Sequence, residues 1–430
     1  MLKQATVPAA ALALAAPAAA QAGFQEPVHV IWQRTGTTPG GNFGWAVSGL
    51  ADVDHDGADD AIVGEPFPDR GTTWVLSGAT DAIIGEPGFD RGTTWLLSGA
   101  TGAVLRSFAG QPGDANGYAI ADAGDTTRDG YHDVISGAPG IAPTAVGRAY
   151  LYSGRDGRLL HVFTGLATAE AFGSAVSSAG DVDRDGRADL LIGAPGHVGG
   201  GIAYVYSGRT YKPLYAIPAP DATHAFGAGT GTAGDVDRDR VPDEIVGGGG
   251  AGYVFSGATG RELYPLPPSA GAQQFGTFFL AGVGDVDGDR VPDVYGGDYN
   301  AADNGPGSGF AAVYSGRDGR LLHSWLGAPG AGMGPGRGAG DVDGDHRPDV
   351  AVGSYTSSDG APHAGRIDIF SGRTGRTLRT IVSTTPNEQL GFDAVGVGDV
   401  DRDGRPDLLA SAANGDTIYM IAGERRRRGW

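Results

Sequence analysis

Hydrophobic positions along this chain gather in runs of about five residues, each cut off by a polar or glycine-rich stretch, a pattern of short strands and tight turns. The runs recur in a constant order. A Phe-Gly pair, as in Phe43-Gly44, Phe172-Gly173, Phe226-Gly227 and Phe275-Gly276, opens a strand of small residues, and an aspartate-rich stretch follows it. Next comes an apolar strand such as Leu190 to Ile192. A third strand ends in Ser-Gly, as in Ala149 to Ser153, Ala203 to Ser207 and Ala312 to Ser315. A fourth follows a Gly-Arg turn, as in Leu159 to Phe163, Leu321 to Trp325 and Thr377 to Ile381. Four such strands per repeat are the layout of a propeller blade.

The polar stretches begin at Asp52, Asp125, Asp181, Asp235, Asp285, Asp341 and Asp399, at intervals of 50 to 58 residues except for the first, which is 73. That outlier has a visible cause. Asp60 to Thr80 is nearly copied by Asp81 to Thr101, and without this 21-residue copy the first interval would be 52. The copy has no acidic stretch of its own, so residues 81–101 read as a tandem duplication within the first repeat. Repeats of this period stack in a row or close radially. The seventh ends after its third strand, Ile418 to Ile421, whereas Val28 to Trp32 near the start fits the pattern of a fourth. The expected fold is therefore all-β: a seven-bladed β-propeller of four-stranded blades over residues 23–423, its ring closed by the N-terminal strand, since an open solenoid needs no such complement.

Composition agrees, with 78 glycines and 26 prolines among 430 residues. Glycine in a helix interior costs about 1 kcal/mol relative to alanine, so a long-helix protein is excluded. The balance of 31 basic against 50 acidic residues, net −19, argues against nucleic acid as a partner. Only Lys3 and Lys212 are lysines, and there is no cysteine, which excludes disulfides and thiolate chemistry. Lys3 precedes an apolar run from Val7 to Ala20 and the small-residue site Ala20-Gln21-Ala22, so residues 1–22 are expected to be a cleaved signal peptide. The run falls short of the roughly 20 residues needed to cross a bilayer, and no other stretch approaches that length. The expected product is secreted, extracellular or periplasmic, with no transmembrane segment after cleavage and a solvated basic tail at 424–430.

The positions of the acids decide what the charge is for. Side-chain oxygens fall at positions 1, 3, 5 and 9 of every stretch. The first two are Asp52, Asp54, Asp56 and Asp60, then Asp125, Thr127, Asp129 and Asp133. The third and fourth are Asp181, Asp183, Asp185 and Asp189, then Asp235, Asp237, Asp239 and Asp243. Asp285, Asp287, Asp289 and Asp293 form the fifth, Asp341, Asp343, Asp345 and Asp349 the sixth, and Asp399, Asp401, Asp403 and Asp407 the seventh. Oxygen ligands at alternate positions around a sharp turn suit the flexible sphere of calcium better than the strict octahedron of magnesium or the nitrogen and sulfur sphere of zinc. Up to seven calcium ions are expected. An EF-hand is excluded, because position 12 reads Val63, Ser136, Ile192, Val246, Gly296, Val352 and Ala410 where that motif needs a bidentate glutamate. Position 6 is glycine in four loops but Arg240, Arg290 and His346 in the fourth to sixth, which should bind more weakly, as should the second with Thr127.

The Phe-Gly opening, the Asp-x-Asp-x-Asp-Gly-x-x-Asp loop and the Gly-Ala-Pro that follows it (Gly137-Ala-Pro139, Gly193-Ala-Pro195, with Gly64-Glu-Pro66 as a variant) resemble FG-GAP repeats, the blades of the integrin α-subunit N-terminal propeller. The resemblance implies a seven-bladed ring with calcium on one face and an adhesion or ligand-binding role without catalysis, toward an extracellular protein or a polysaccharide. Gly247-Gly-Gly249, Gly296-Gly-Asp298, Gly353-Ser-Tyr355 and Ser411-Ala-Ala413 depart from Gly-Ala-Pro. Nine scattered histidines, three of them in the acidic loops, offer no catalytic constellation. A polysaccharide lyase or hydrolase on the same ring, or a purely structural surface protein, would be the alternatives. The first needs clustered carboxylates, Arg or His at the mouth of the ring beyond those of the metal loops. Aromatics such as Tyr150, Tyr152, Tyr204 and Tyr206 are expected to pack within blades, and the loops 196–201, 300–309 and 355–365 are the longest candidates for a binding rim.

Overall fold

A computed structural model describes residues 23–35, 45–50, 60–64, 73–76, 82–86, 93–97, 104–109, 114–140, 146–220 and 225–423, with side chains outside 49–113. The proposed signal peptide, the basic tail, Phe43 and most of the first acidic loop lie outside the described residues.

The sheet around the third loop shows how a repeat folds. The small-residue strand Ala175–Gly180 pairs antiparallel with Asp189–Ala194, that with Ile202–Tyr206, and that with Pro213–Pro218. Buried residues dominate the second strand, while the fourth is half exposed, so the sheet runs from a crowded inner edge to a solvated outer one. Small residues are required inside because neighbouring inner strands nearly touch: a Cβ on Gly282 would lie 2.6 Å from the Thr232 carbonyl oxygen of the next sheet. The phenylalanine of each described Phe-Gly pair fills its own blade. Phe172 packs on Tyr204 and Tyr206, Phe226 on Tyr253 and Phe255, and Phe275 on Phe310 and Tyr314. All three are fully buried, and each contributes about 1.5 to 3 kcal/mol by leaving water. Tyr150 and Tyr152 stack on each other and are buried, which makes them packing residues.

The inner strands contact one another in a closed cycle: Ala46–Leu50, Ala119–Gly124, Ala175–Gly180, Gly229–Gly234, Leu280–Gly284, Met333–Gly340, Leu390–Gly396 and back to Ala46–Leu50. Core clusters bridge adjacent sheets; Leu191 and Val205, for example, share one with Phe226 and Val246 of the next.

The expectation of seven four-stranded blades is corrected here: the propeller has six blades of four strands each. The strands from Ala46–Leu50 to Val104–Ala109 form a single six-stranded sheet instead. The cause is the sequence copy. Asp60–Gly64 and Thr73–Leu76 come from its first half, Ala82–Glu86 and Thr93–Leu97 from its second, and all four pair in succession. In the last four-stranded sheet the outer strand is Val30–Thr35, antiparallel to Thr417–Ile421 with Gln33 opposite Tyr419. It begins and ends later than the apolar pattern of Val28 to Trp32 indicates. An outer strand exposes one face, so Gln33, Arg34 and Thr35 pair as readily as apolar residues. No helix among the described residues is long and apolar enough to cross a membrane.

Candidate metal loops and the channel mouth

Each described acidic loop leaves its inner strand through a left-handed glycine: Gly124, Gly180, Gly234, Gly284, Gly340 or Gly398. Position 1 then acts as a hub. Asp181 accepts backbone N–H bonds from Asp185 and Gly186, both at 2.9 Å, and Asp399 accepts from Asp403 and Gly404 at 2.9 and 2.7 Å. The turn so formed places position 6 at positive φ in all six loops, including Arg240 (71°), Arg290 (67°) and His346 (66°). In the fifth and sixth loops a glycine at position 4, Gly288 or Gly344, shares the left-handed geometry. The fourth loop has no such relief, because Arg238 and Arg240 are both left-handed there.

Position 9 is held from two sides. Asp189 Oδ2 accepts from Val182 N at 2.9 Å, and Asp189 Oδ1 from Gly208 N at 2.9 Å. The same second bond runs from Gly257 to Asp243, Gly316 to Asp293, Gly372 to Asp349 and Gly423 to Asp407, so the glycine turn after the third strand, Ser-Gly in all of these but Ala422-Gly423, orients this carboxylate. Only glycine fits: a Cβ on Gly316 would lie 1.7 Å from the Pro292 carbonyl oxygen. Burial pushes the carboxyls of Asp133, Asp189, Asp243, Asp293 and Asp349 up to about 6, and that of Asp407 up as well. An adjacent cation would favour the ionised form again.

Five loops bring three carboxylate oxygens within 4.8 Å of one another: Asp181, Asp183 and Asp189; Asp235, Asp237 and Asp239; Asp285, Asp287 and Asp289; Asp341, Asp343 and Asp349; and Asp399, Asp401 and Asp407. The residues fit a cation by a second observation. Asp235 Oδ1 and Thr127 Oγ1 are buried without a hydrogen-bond partner, a state that an oxygen ligand leaves only when it meets a positive centre or a donor. The loops are unequal, but not simply by their position-6 residue. The fourth and fifth group positions 1, 3 and 5, whereas the sixth, which carries His346, groups 1, 3 and 9 as the glycine-bearing third and seventh do. The second loop, Asp125 to Asp133 with Thr127, forms no group of three carboxylates. Asp52, Asp54 and Asp56 lie outside the described residues, and Asp60 is described only as the start of a strand.

Arginine joins neighbouring loops. Arg184 donates to the Asp239 carbonyl at 2.7 Å, Arg238 to that of Asp289 at 2.9 Å, and Arg347 to Asp285 Oδ2 at 3.0 Å. Reaching from one loop to an oxygen of its neighbour suits the long side chain and planar fork of arginine.

At the other end of the same strands a channel of about 520 Å³ opens along the ring axis. Aromatic rings, half-buried except for the buried Phe279, border it in a chain of contacts: Trp45 to Phe392 (4.7 Å between centroids), Phe392 to Tyr355 (5.2 Å), Tyr355 to Tyr299 (6.0 Å), Tyr299 to Phe279 (6.3 Å) and, across the mouth, Phe278 to Tyr118 (6.5 Å). Further down the wall lie Ser177, Thr230, Asp122, Arg337 and Asp393. Asp122 binds His132 Nδ1 at 2.8 Å; Asp393 binds Arg337 Nη2 at 3.3 Å and the Val47 amide at 3.0 Å. The loops 196–201, 300–309 and 355–365 each link a second strand to a third and so stand at this end.

The FG-GAP repeat profile matches residues 172–206, and an FG-GAP-like repeat profile matches residues 341–410. The chain carries FG-GAP repeats. It is similar to integrin alpha-8 of Homo sapiens, 33% identical over 151 residues that make up 30% of this chain and 14% of that protein. Integrin alpha pat-2 of Caenorhabditis briggsae is 34% identical over 167 residues, 37% of this chain and 14% of the relative. Integrin alpha-IIb of Homo sapiens is 34% identical over 153 residues, 30% and 14% respectively. The chain thus covers about a seventh of the length of these relatives. A solved structure titled "Structure of Dos1 propeller" superposes with a TM-score of 0.55 at 11% identity, over 93% of this chain and 96% of that one, a likeness of fold alone.

The FG-GAP pattern also explains what sequence reasoning missed. Tyr299 and Tyr355 stand just past the second strand, where Gly-Ala-Pro gives way to Gly296-Gly-Asp298 and Gly353-Ser-Tyr355. Those departures are the signal for the aromatic mouth.

Proposed function

We propose that this FG-GAP propeller is a secreted calcium-binding module for adhesion or ligand binding and that it performs no catalysis. The observation that supports it most is the division of labour between the two ends of the inner strands. One end gathers carboxylates in five loops, and the other presents an aromatic-lined channel framed by the longest loops. Calcium in the loops would be held by Asp181, Asp183 and Asp189 and their counterparts, and it supplies the charge compensation that lets buried aspartates stay ionised. Around each ion the protein's part is to fix the turn through position 1 and to orient position 9 through the Ser-Gly amide. Integrin α relatives make an extracellular setting the natural one for such a ring. The polysaccharide-active alternative finds little support at the channel, where Asp122 and Asp393 are both engaged by basic partners and, among the described residues, the channel-lining side chains add no other carboxylate. Binding of the purified chain to immobilised extracellular-matrix proteins and glycans, in millimolar calcium and in chelator, tests the reading. Calcium-dependent capture is expected, and hydrolysis or lyase cleavage of any probe would contradict it.

A further inference from the structure

We propose that cation binding in the third, fourth and fifth acidic loops is coupled, and that Arg184 and Arg238 are the positioning residues that couple it. This rests on the calcium reading above and adds how the sites depend on one another. Each arginine belongs to one loop and acts on the next. Arg184 stands at position 4 of the third loop, between Asp183 and Asp185, and its Nη2 donates to the Asp239 carbonyl at position 5 of the fourth. Arg238 holds the same place in the fourth loop and donates to the Asp289 carbonyl, position 5 of the fifth. Both are left-handed, at φ 61° and 65°, so a turn that closes around a cation also fixes the backbone from which each guanidinium reaches.

The two loops that receive an arginine in this way differ from the rest in their donor set. The fourth and fifth gather positions 1, 3 and 5, whereas the third, sixth and seventh gather 1, 3 and 9. In the latter three the position-5 amide donates to Oδ1 of position 1: Asp185 to Asp181 at 2.9 Å, Asp345 to Asp341 at 3.0 Å and Asp403 to Asp399 at 2.9 Å. In the fourth loop the Asp239 amide donates to Asp237 at 3.0 Å, and Asp235 Oδ1 is left buried without a partner. An arginine on the position-5 carbonyl thus accompanies a position-1 oxygen released from the backbone and open to a cation. The loops before the sixth and seventh carry Gly288 and Gly344 at position 4, which have no side chain to send, and Arg128 of the second loop rests over Gly186 at position 6 of the third instead. Arg347 is of another kind, since it meets the Asp285 carboxylate itself, where it competes with a cation. Coupling of this sort is reciprocal, so a cation in the fourth loop should also favour one in the third.

The test follows the Gly257 and Gly316 amides of the full chain by two-dimensional NMR as calcium is added, since these amides bond Asp243 and Asp293 and so report the fourth and fifth loops. Arg184→Gln should raise the calcium midpoint of Gly257 about threefold to tenfold, and Arg238→Gln that of Gly316, with the melting midpoint in chelator unchanged. The charge control Lys212→Gln should move neither. Asp181→Asn, which weakens the third loop itself, should raise the Gly257 midpoint in the wild type but not in the Arg184→Gln background. A Gly257 midpoint that ignores Arg184→Gln, or that responds to Asp181→Asn equally in both backgrounds, would overturn the inference. So would a midpoint that moves with Arg240→Gly and not with Arg184→Gln, because the position-6 arginine would then set the donor set. In each of these cases calcium still binds and the calcium reading stands. If neither amide responds to millimolar calcium, both fail.

Discussion

The two ends of the inner strands obey opposite rules. At the acidic end the six described loops repeat one backbone device, from the left-handed glycine that starts them to the glycine amide that holds position 9. At the channel end the repetition is looser: Trp45, Tyr118 and Phe392 each follow the glycine that opens a blade, Phe278, Phe279 and Tyr299 crowd a single sheet, and Tyr355 stands in the next. Repetition serves stability, because every blade needs the same turn. Variation from blade to blade is what the proposed ligand-binding role calls for, because a ligand does not repeat around the ring.

If the repeated end is the scaffold, damage there or to ring closure should unfold the protein, whereas damage at the channel should not. The largest effect is expected from deleting residues 23–38. That removes the strand Val30–Thr35, bares the edge of Thr417–Ile421 and takes the buried Val28 and Val30 out of their cluster, at about 1.5 to 3 kcal/mol for each side chain. Thermal melts and light scattering should show a large drop in midpoint and aggregation. Deleting residues 424–430 should do neither.

Gly316→Ala comes next. The new Cβ cannot coexist with the Pro292 carbonyl, so the turn must shift and the charge-assisted bond to Asp293 is lost, at roughly 2 to 3 kcal/mol. Denaturant melts measure this, and a neutral outcome would mean that the Ser-Gly turn does not orient position 9. Thr127→Asp should give the second loop the carboxylate it lacks, raising the number of calcium ions bound per chain by one or tightening its weakest site about tenfold in calorimetry. The smallest effect should be a gain. Arg240→Gly relieves one of the two left-handed arginines of the fourth loop and should stabilise the protein by about 1 kcal/mol, whereas Gly186→Arg in the third loop should cost a similar amount.

Much of the repeated end was legible in the sequence, since periodicity amplifies any signal carried by every repeat. Phe172, Phe226 and Phe275, the four aspartate positions and the Ser-Gly turns could all be read from register alone. What the Ser-Gly turns are for was not legible, because the bond from Gly208 to Asp189 joins residues nineteen apart across two strands. The blade count failed where the period itself was disturbed. A copied pair of strands can stand apart or extend the sheet it came from, and only pairing such as Thr73 with Gly85 shows that it extends it. The closing strand was visible as an apolar run, yet its true bounds include Gln33 to Thr35, which a half-exposed outer strand admits. The aromatic mouth was hidden because its shared positions carry aromatics in only some blades: Trp45, Tyr118 and Phe392 follow the opening glycine, where Ser174 and Ala228 stand in others. Tyr299 and Tyr355 appeared only as departures from a motif.

The central claim is that cations hold this ring together through the acidic loops. Thermal unfolding of one preparation in chelator and in millimolar calcium tests it most directly. Calcium bound by the native chain and not by the unfolded one adds about 2.7 kcal/mol per site when it is a hundredfold above the dissociation constant. With several sites, the account predicts a large, calcium-dependent rise in melting midpoint that magnesium at the same concentration does not reproduce. An identical midpoint in chelator and calcium would contradict it.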